Sequence, residues 1–210
     1  MTKPILRNYI GLFLAAVVLL VSGCACKTTT MIAPRPEKWA TQMKNTCNVP
    51  NFYKINDNIY RSAQPTEEGM KQLCDVMKIK TVINLRSFHS DNYEKICSTA
   101  LPDERLHVKA WHPEDEDVIK VMKILSHREN GPFLIHCQAG ADRTGLMSAM
   151  YRILCQKEWT KAEAIDEMVN GGYGFHPWWR RTIIKYIEDL TEKRIKELRE
   201  QCQCGTSEGP

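Results

Sequence analysis

Phe133-Leu134-Ile135-His136-Cys137-Gln138-Ala139-Gly140-Ala141-Asp142-Arg143-Thr144-Gly145 is the stretch that decides the fold of this chain. Phe133–Ile135 is a short apolar run that reads as a buried strand. The run Leu146-Met147-Ser148-Ala149-Met150-Tyr151-Arg152-Ile153-Leu154 reads as a helix. Between them lies a tight loop that ends at a helix N-terminus. Such a loop can aim several backbone N–H groups at one point, with the positive end of the helix dipole behind them. A thiolate at Cys137 is stabilised by those dipoles and by the guanidinium of Arg143. A phosphate held in the loop meets the same donors, and Arg143 can grip two of its oxygens.

Working outward, periods of two and of 3.6 alternate along the chain. Ile59–Arg61 reads as a short strand. Thr66, followed by Glu67 and Glu68, caps a helix running to about Met77. Thr81–Leu85 is β-branched and apolar, the pattern of a strand covered on both faces. Residues 91–100 read as helix and 105–110 as strand. Val118, Ile119, Met122 and Leu125 keep helical spacing. Thr160-Lys161-Ala162-Glu163 is a capping box that opens another helix ending near Gly171-Gly172. Trp178–Glu200 reads as one long amphipathic helix. Strands alternating with helices predict an α/β domain: a central, mostly parallel sheet of four to five strands flanked by helices.

The His-Cys-x-x-Gly-x-x-Arg-Thr pattern of residues 136–144 resembles the signature loop of the cysteine-based protein tyrosine phosphatases, and within them the dual-specificity branch. Ile59-Tyr60-Arg61-Ser62-Ala63-Gln64-Pro65 and Ile79-Lys80-Thr81-Val82-Ile83-Asn84-Leu85-Arg86 are similar to segments of small bacterial and fungal members of that branch. The resemblance covers about Pro50–Leu190. It implies a phosphatase that acts on phosphorylated protein or on a small phosphomonoester. Cys137 would attack phosphorus to form a thiophosphate ester. Arg143 would clamp the equatorial oxygens in the transition state. Gln138, Ala139, Gly140, Ala141, Asp142 and Arg143 would line the phosphate. Gly140 permits the backbone twist that turns N–H groups inward. Thr144 would hydrogen-bond the sulfur, and His136 would support the loop from behind.

A leaving alkoxide or phenoxide needs a proton, and the family takes it from an aspartate on an upstream loop. Here Trp111-His112-Pro113-Glu114-Asp115-Glu116-Asp117 stands at that point in the order, and Asp115 is taken as the acid. It lies 22 residues before Cys137, a shorter gap than usual in the family. His112, Glu114 and Asp117 remain open as alternatives. Acids in a first helical turn also favour the dipole without any catalytic role.

The N-terminus reads as a targeting segment. Lys3 and Arg7 precede an uninterrupted apolar run from Ile10 to Val21, too short for a membrane span of about 20 residues. Val21-Ser22-Gly23-Cys24 resembles the lipobox of bacterial lipoproteins, which implies cleavage after residue 23 and a lipid anchor on Cys24. Ala25 in place of Asp points to the outer membrane, facing the periplasm, by resemblance to Gram-negative lipoproteins. An ordinary signal peptide or an uncleaved anchor is the alternative. Residues 24–49, with few apolar side chains and with Pro34 and Pro36 inside and Pro50 at the boundary, read as a tether, residues 50–200 as the phosphatase domain, and residues 201–210 as a flexible tail.

Composition narrows the classes. The 210 residues carry a formal charge of +4; without Lys3 and Arg7, 27 basic residues face 25 acidic ones. That balance gives no electrostatic case for nucleic acid. The nine cysteines lack the spacing of a zinc site. No metal or organic cofactor is implied, because nucleophile, anion clamp and acid are all side chains, and a monomer is expected. The loop interior brings no lysine, and Asp142 is acidic, which argues against inositol polyphosphates. Arg86, His89 and Lys95 can still supply a basic rim. Gly171-Gly172-Tyr173-Gly174-Phe175-His176-Pro177-Trp178-Trp179 has two readings, a wall of the pocket or a packed turn between helices. Competing functions are a phytase-like phosphatase, a sulfurtransferase, which the five-residue gap between Cys137 and Arg143 disfavours, and a phosphate-binding module without turnover.

Overall fold

The computed structural model describes residues 34–44, 46–87, 103–106, 108–109, 112–156 and 158–204. The strands are β1 (Thr41–Gln42), β2 (Tyr53–Asn56), β3 (Ile59–Ser62), β4 (Thr81–Asn84), β5 (Asp103–Arg105) and β6 (Phe133–His136). The helices are α1 (Glu67–Asp75), α2 (Asp115–Ser126), α3 (Asp142–Cys155), α4 (Lys161–Asn170), α5 (Arg181–Glu188) and α6 (Glu192–Cys202). All six strands form one sheet in the order β1-β2-β3-β6-β4-β5. The four from β3 to β5 run parallel, and β1 and β2 add an antiparallel edge.

The apolar run at 133–135 becomes the central strand because both sheet faces are covered there. Leu134 packs with Tyr60, Met70, Leu73 and Val82 beneath α1. Phe133 and Ile135 pack on the other face with residues of α2, α3 and α5. His136 pairs with Ser62 on one side and Asn84 on the other. The carboxyl ends of β3, β6 and β4 are therefore level, and the loop after β6 rises between two strand ends, where open α/β sheets place their ligands.

Local signals explain the helix starts. The Thr66 side chain accepts from the Gly69 N–H at α1, and Thr160 and Glu163 form the reciprocal capping box at α4. The expected helix 178–200 is two helices. Leu190 is buried between them, and Thr191 caps α6 by accepting from the Arg194 N–H. A Thr cap followed by Glu192 starts a new helix where periodicity alone reads straight through.

The expected tether is largely part of the domain. The compact unit begins at Arg35, and Ala40 is buried. Arg35 donates to the carbonyls of Ala40 and Gly171 and to the Tyr173 hydroxyl, and Lys38 contacts Glu163. β1 supplies the sixth strand, one more than the sequence implied. At the other end, α6 continues to Cys202, and Cys204 is joined to Cys155 by a disulfide, so residues 201–204 are tied down rather than loose. β5 spans three residues instead of the expected 105–110. Cys24, His89, Lys95, Trp111 and the helix expected at 91–100 lie outside the described residues.

Candidate active site

The loop from Cys137 to Arg143 is shaped by donors outside it. The Gln64 N–H donates to the Gln138 carbonyl at 3.2 Å. Asn51 Nδ2 donates to the Ala139 carbonyl at 2.8 Å. Arg61 Nη2 donates to the Gly140 carbonyl at 2.7 Å, and the Gly145 N–H to the Ala141 carbonyl at 2.7 Å. In a trans peptide the C=O and the following N–H point in opposite directions. Four consecutive carbonyls held outward therefore turn the N–H groups of residues 139–142 toward the loop's centre, at the N-terminus of α3. That is an anion cradle built from backbone.

Gly140 makes the turn possible. Its φ is +67°, and a Cβ there would lie 2.5–2.6 Å from the backbone of Ser62 and Ala63. Only a residue without a side chain lets the loop lie this close to the end of β3. Cys137 is buried at the floor, and His136 below it is fully buried. Gln138 and Ala139 are exposed at the crest. Arg143 Nη1 donates to the Leu85 carbonyl at 2.8 Å, which holds the guanidinium beside the end of β4. The Thr144 hydroxyl is buried and has no hydrogen-bond partner among the described residues.

Asp142 belongs to the loop by backbone only. Its carboxylate accepts from the His176 N–H at 3.1 Å, lies 3.1 Å from His176 Nδ1, and accepts from Arg180 Nε at 3.0 Å. The carboxylate faces the α4–α5 loop, so its charge is answered there and does not oppose an anion in the cradle. That weakens the argument from sequence against polyanionic substrates.

Asp115 does not fit the role of acid expected for it. Its carboxylate accepts from the Tyr186 hydroxyl at 2.6 Å and from Arg194 at 3.0 and 2.5 Å. Burial pushes its pKa up, but the bonds from Arg194 and Tyr186 outweigh that and hold it below the ordinary value. A group kept ionised and clasped between α2, α5 and α6 is a strut rather than a proton donor. Glu114 is likewise held low, by its bond to Lys109. Asp117 moves the other way: burial first, then the Glu114 charge, raise its pKa. His112 is exposed, 3.7 Å from Glu114. Among the described residues no cluster of His, Cys, Asp or Glu is arranged to hold a metal.

Several supporting residues were not singled out as site residues by sequence. Arg61 is fully buried below the loop, its guanidinium 3.7 Å from the centre of the Tyr173 ring. Burial lowers its pKa from the ordinary arginine value, and the neighbouring Tyr173 and Glu167 act in the opposite direction. The Tyr173 hydroxyl donates to Glu167 at 3.0 Å and accepts from Arg35, and Glu167 is paired with buried Arg152. A polar column thus runs from the N-terminal segment, through Tyr173 and Arg61, to the Gly140 carbonyl. The available signal was an arginine inside a four-residue strand, Ile59-Tyr60-Arg61-Ser62, whose positions are all buried. Asn51 also bridges the Ala139 and Tyr173 carbonyls.

Comparison with known proteins agrees with this geometry. A family model described as DSP-PTPase phosphatase fused to NAD+ kinase matches residues 38–175, which include the whole loop. The chain belongs to the DSP-PTPase phosphatase family. Dual specificity protein phosphatase TpbA of Pseudomonas aeruginosa is 32% identical over 168 residues, 79% of this chain and 74% of that protein. An inositol diphosphatase of Arabidopsis thaliana is 26% identical over 156 residues, 70% of this chain and 73% of that protein. The crystal structure of TpbA superposes with a TM-score of 0.67 at 28% identity, covering 80% of this chain and 99% of TpbA. A Cys-to-Ser form of TpbA in complex with pTyr gives 0.66, also at 28%, covering 81% and 99%. In this phosphatase, then, the cradle, the thiol and the arginine converge at the carboxyl end of the parallel strands.

Proposed function

We propose that this phosphatase hydrolyses phosphotyrosine and phosphoserine/threonine in proteins through a covalent Cys137 intermediate. The observation that carries the reading is the set of four outward-held carbonyls, which aim N–H groups at one point above Cys137 with Arg143 beside it. The TpbA complex with pTyr supports the class of substrate.

The phosphoryl oxygens sit in the cradle, and the Cys137 sulfur attacks phosphorus in line with the ester oxygen. The S–P bond forms as the P–O bond breaks, and the leaving oxygen takes a proton. Arg143 and the cradle N–H groups neutralise the charge spread over the equatorial oxygens. Water then attacks the thiophosphate, breaking S–P and releasing inorganic phosphate. Thr144, whose buried hydroxyl has no hydrogen-bond partner among the described residues, is assigned to donate a hydrogen bond to the departing sulfur. The proton donor is assigned to the upstream segment that the family resemblance points to; with Asp115 clasped by Arg194 and Tyr186, Asp117 of the same segment, half-buried and with its pKa raised by burial and then by the Glu114 charge, is the first candidate there. The N-terminal reading completes the proposal: export, and attachment to a bacterial membrane through lipidated Cys24. With the folded unit beginning at Arg35, about ten residues would separate anchor from enzyme.

A second reading has a specific observation behind it. Asp142 is paired with Arg180 and hydrogen-bonded to His176, which leaves the cradle open to a more highly charged phosphate substrate, and one relative is an inositol diphosphatase. Phosphate release separates the two. The reduced protein would be assayed on p-nitrophenyl phosphate, a phosphotyrosine peptide, a phosphoserine peptide and an inositol pyrophosphate, with Cys137→Ser as control. Turnover of a phosphopeptide that vanishes in the variant is expected. Preference for the inositol compound by tenfold or more in kcat/KM, about 1.4 kcal/mol, would favour the second reading. Turnover that survives Cys137→Ser would refute the mechanism.

A further inference from the structure

The loop 171–180 contains both inward and outward aromatic residues. Tyr173 and Phe175 are buried, which accounts for the packed-turn reading, whereas Trp178 and Trp179 are 85% and 80% exposed. Among the described residues, the other exposed large hydrophobic side chain is Val76, at 61%. Two adjacent tryptophans in water leave a large apolar area uncovered, and tryptophan beside arginine is the composition of binding hot spots. α5, which follows, does not use them: it buries Ile183 and Ile187 instead.

Their position relates this surface to the chemistry. His176 and Arg180, which bracket the pair, are both bonded to Asp142, the residue before Arg143. The turn that carries the tryptophans is therefore tied at both ends to the residue before Arg143. The described residues next to the tryptophans on this side are basic, at Arg180 and Arg181. Among the described residues, Arg180 pairs with Asp142, Arg143 is bonded to the Leu85 carbonyl at the end of β4, and Arg181, next to the tryptophans, is exposed.

We propose that Trp178 and Trp179 form a docking platform for the polypeptide that flanks the phosphorylated residue, and that they favour flanks carrying acidic side chains. The proposal rests on the protein-phosphatase reading above. A peptide whose phosphate lies in the cradle must continue outward across the rim. There the indoles cover its aliphatic and aromatic side chains, and Arg181 meets its carboxylates.

The test compares the full chain with the Trp178→Ala/Trp179→Ala double variant on three substrates: p-nitrophenyl phosphate, a phosphotyrosine amide without flanks, and a twelve-residue phosphotyrosine peptide with acidic flanks. The platform predicts that KM for the peptide rises about tenfold in the variant, with kcat held, while the two small substrates change less than about twofold. In the Cys137→Ser background, the same peptide should shift the tryptophan emission, and the shift should vanish when both tryptophans are replaced. Equal peptide KM in both proteins overturns the platform while leaving the protein-phosphatase reading intact. A chain that hydrolyses p-nitrophenyl phosphate but no phosphopeptide overturns that reading, and the platform with it. An emission shift with anionic phosphatidylglycerol vesicles, combined with an unchanged peptide KM, assigns the surface to the membrane and overturns the peptide occupant.

Discussion

Replacing Arg61 by methionine tests whether a buried cation holds the catalytic loop in place or merely stabilises the fold. The guanidinium is fully enclosed, which costs several kcal/mol in desolvation. Its Nε has no hydrogen-bond partner among the described residues, a further cost of about 1–3 kcal/mol. On the other side stand the charged bond to the Gly140 carbonyl, about 1.5–3 kcal/mol, and the stack on Tyr173, about 2 kcal/mol where desolvated. These contributions nearly cancel. An apolar side chain of similar length should therefore change stability by no more than about 2 kcal/mol, or roughly 4–8 °C in Tm for a chain of this size. Catalysis has no such cancellation. The Gly140 carbonyl loses its donor, the peptide joining residues 140 and 141 can rotate, and the Ala141 N–H leaves the cradle. Loss of one oxyanion donor, or a shift of about 1 Å at the reacting centre, costs on the order of 100-fold. We expect kcat on p-nitrophenyl phosphate to fall about 100-fold, with a much smaller change in KM, since the donor matters most as charge spreads over the phosphoryl oxygens. Steady-state kinetics and a thermal melt on the same preparation decide it. A kcat within about threefold of wild type would refute the positioning role. Loss of activity accompanied by a fall in Tm beyond about 10 °C would show that Arg61 serves the fold instead.

Other expectations are independent of this one. Gly140→Ala places a Cβ within 2.6 Å of the Ser62 and Ala63 backbone at a φ of +67°, so activity should drop at least about 100-fold even where the protein stays folded by circular dichroism. Asp115→Asn should lower Tm at neutral pH without altering the pH–rate profile. The folded carboxylate titrates below its unfolded value, so its stabilisation is full above about pH 4 and disappears as pH falls through the lowered value; wild type and variant melts should converge in acid. Asp117 has the opposite sign. Its folded pKa is raised, so the ionised form opposes folding above that pKa, and Asp117→Asn should raise Tm at neutral pH. The same variant should lose about 10²–10⁴-fold in kcat on a phosphoserine peptide, whose alkoxide needs a proton, and much less on p-nitrophenyl phosphate. Equal losses on both substrates would remove Asp117 from the acid role.

Much of the architecture was legible because it rests on short-range interactions. The strand, loop and helix of residues 133–155 follow from an apolar run, a glycine at the turn and a helix-forming stretch, and each choice is made within a few neighbours. The caps at Thr66 and Thr160 close over three residues, so composition alone reveals them. Cys137, Arg143 and Gly140 come from the same ten-residue window. What the sequence left undecided depends on partners that are distant in the chain. Arg61 meets the Gly140 carbonyl across 79 residues, Arg180 meets Asp142 across 38, and Arg35 reaches Tyr173 across 138. A carboxylate in a first helical turn looks the same in sequence whether it is a strut or an acid. Asp115 becomes a strut because α6, 79 residues away, brings Arg194 against it. The segment read as a tether is polar enough for solvent, yet it packs on the domain because α4 offers Glu163 and Glu167 to its lysine and backbone. The local sequence thus determined the shape of the loop at residues 137–143. Tertiary packing decided which charges surround that loop, because a buried charge is settled by the partners that enclose it and not by its neighbours in the chain.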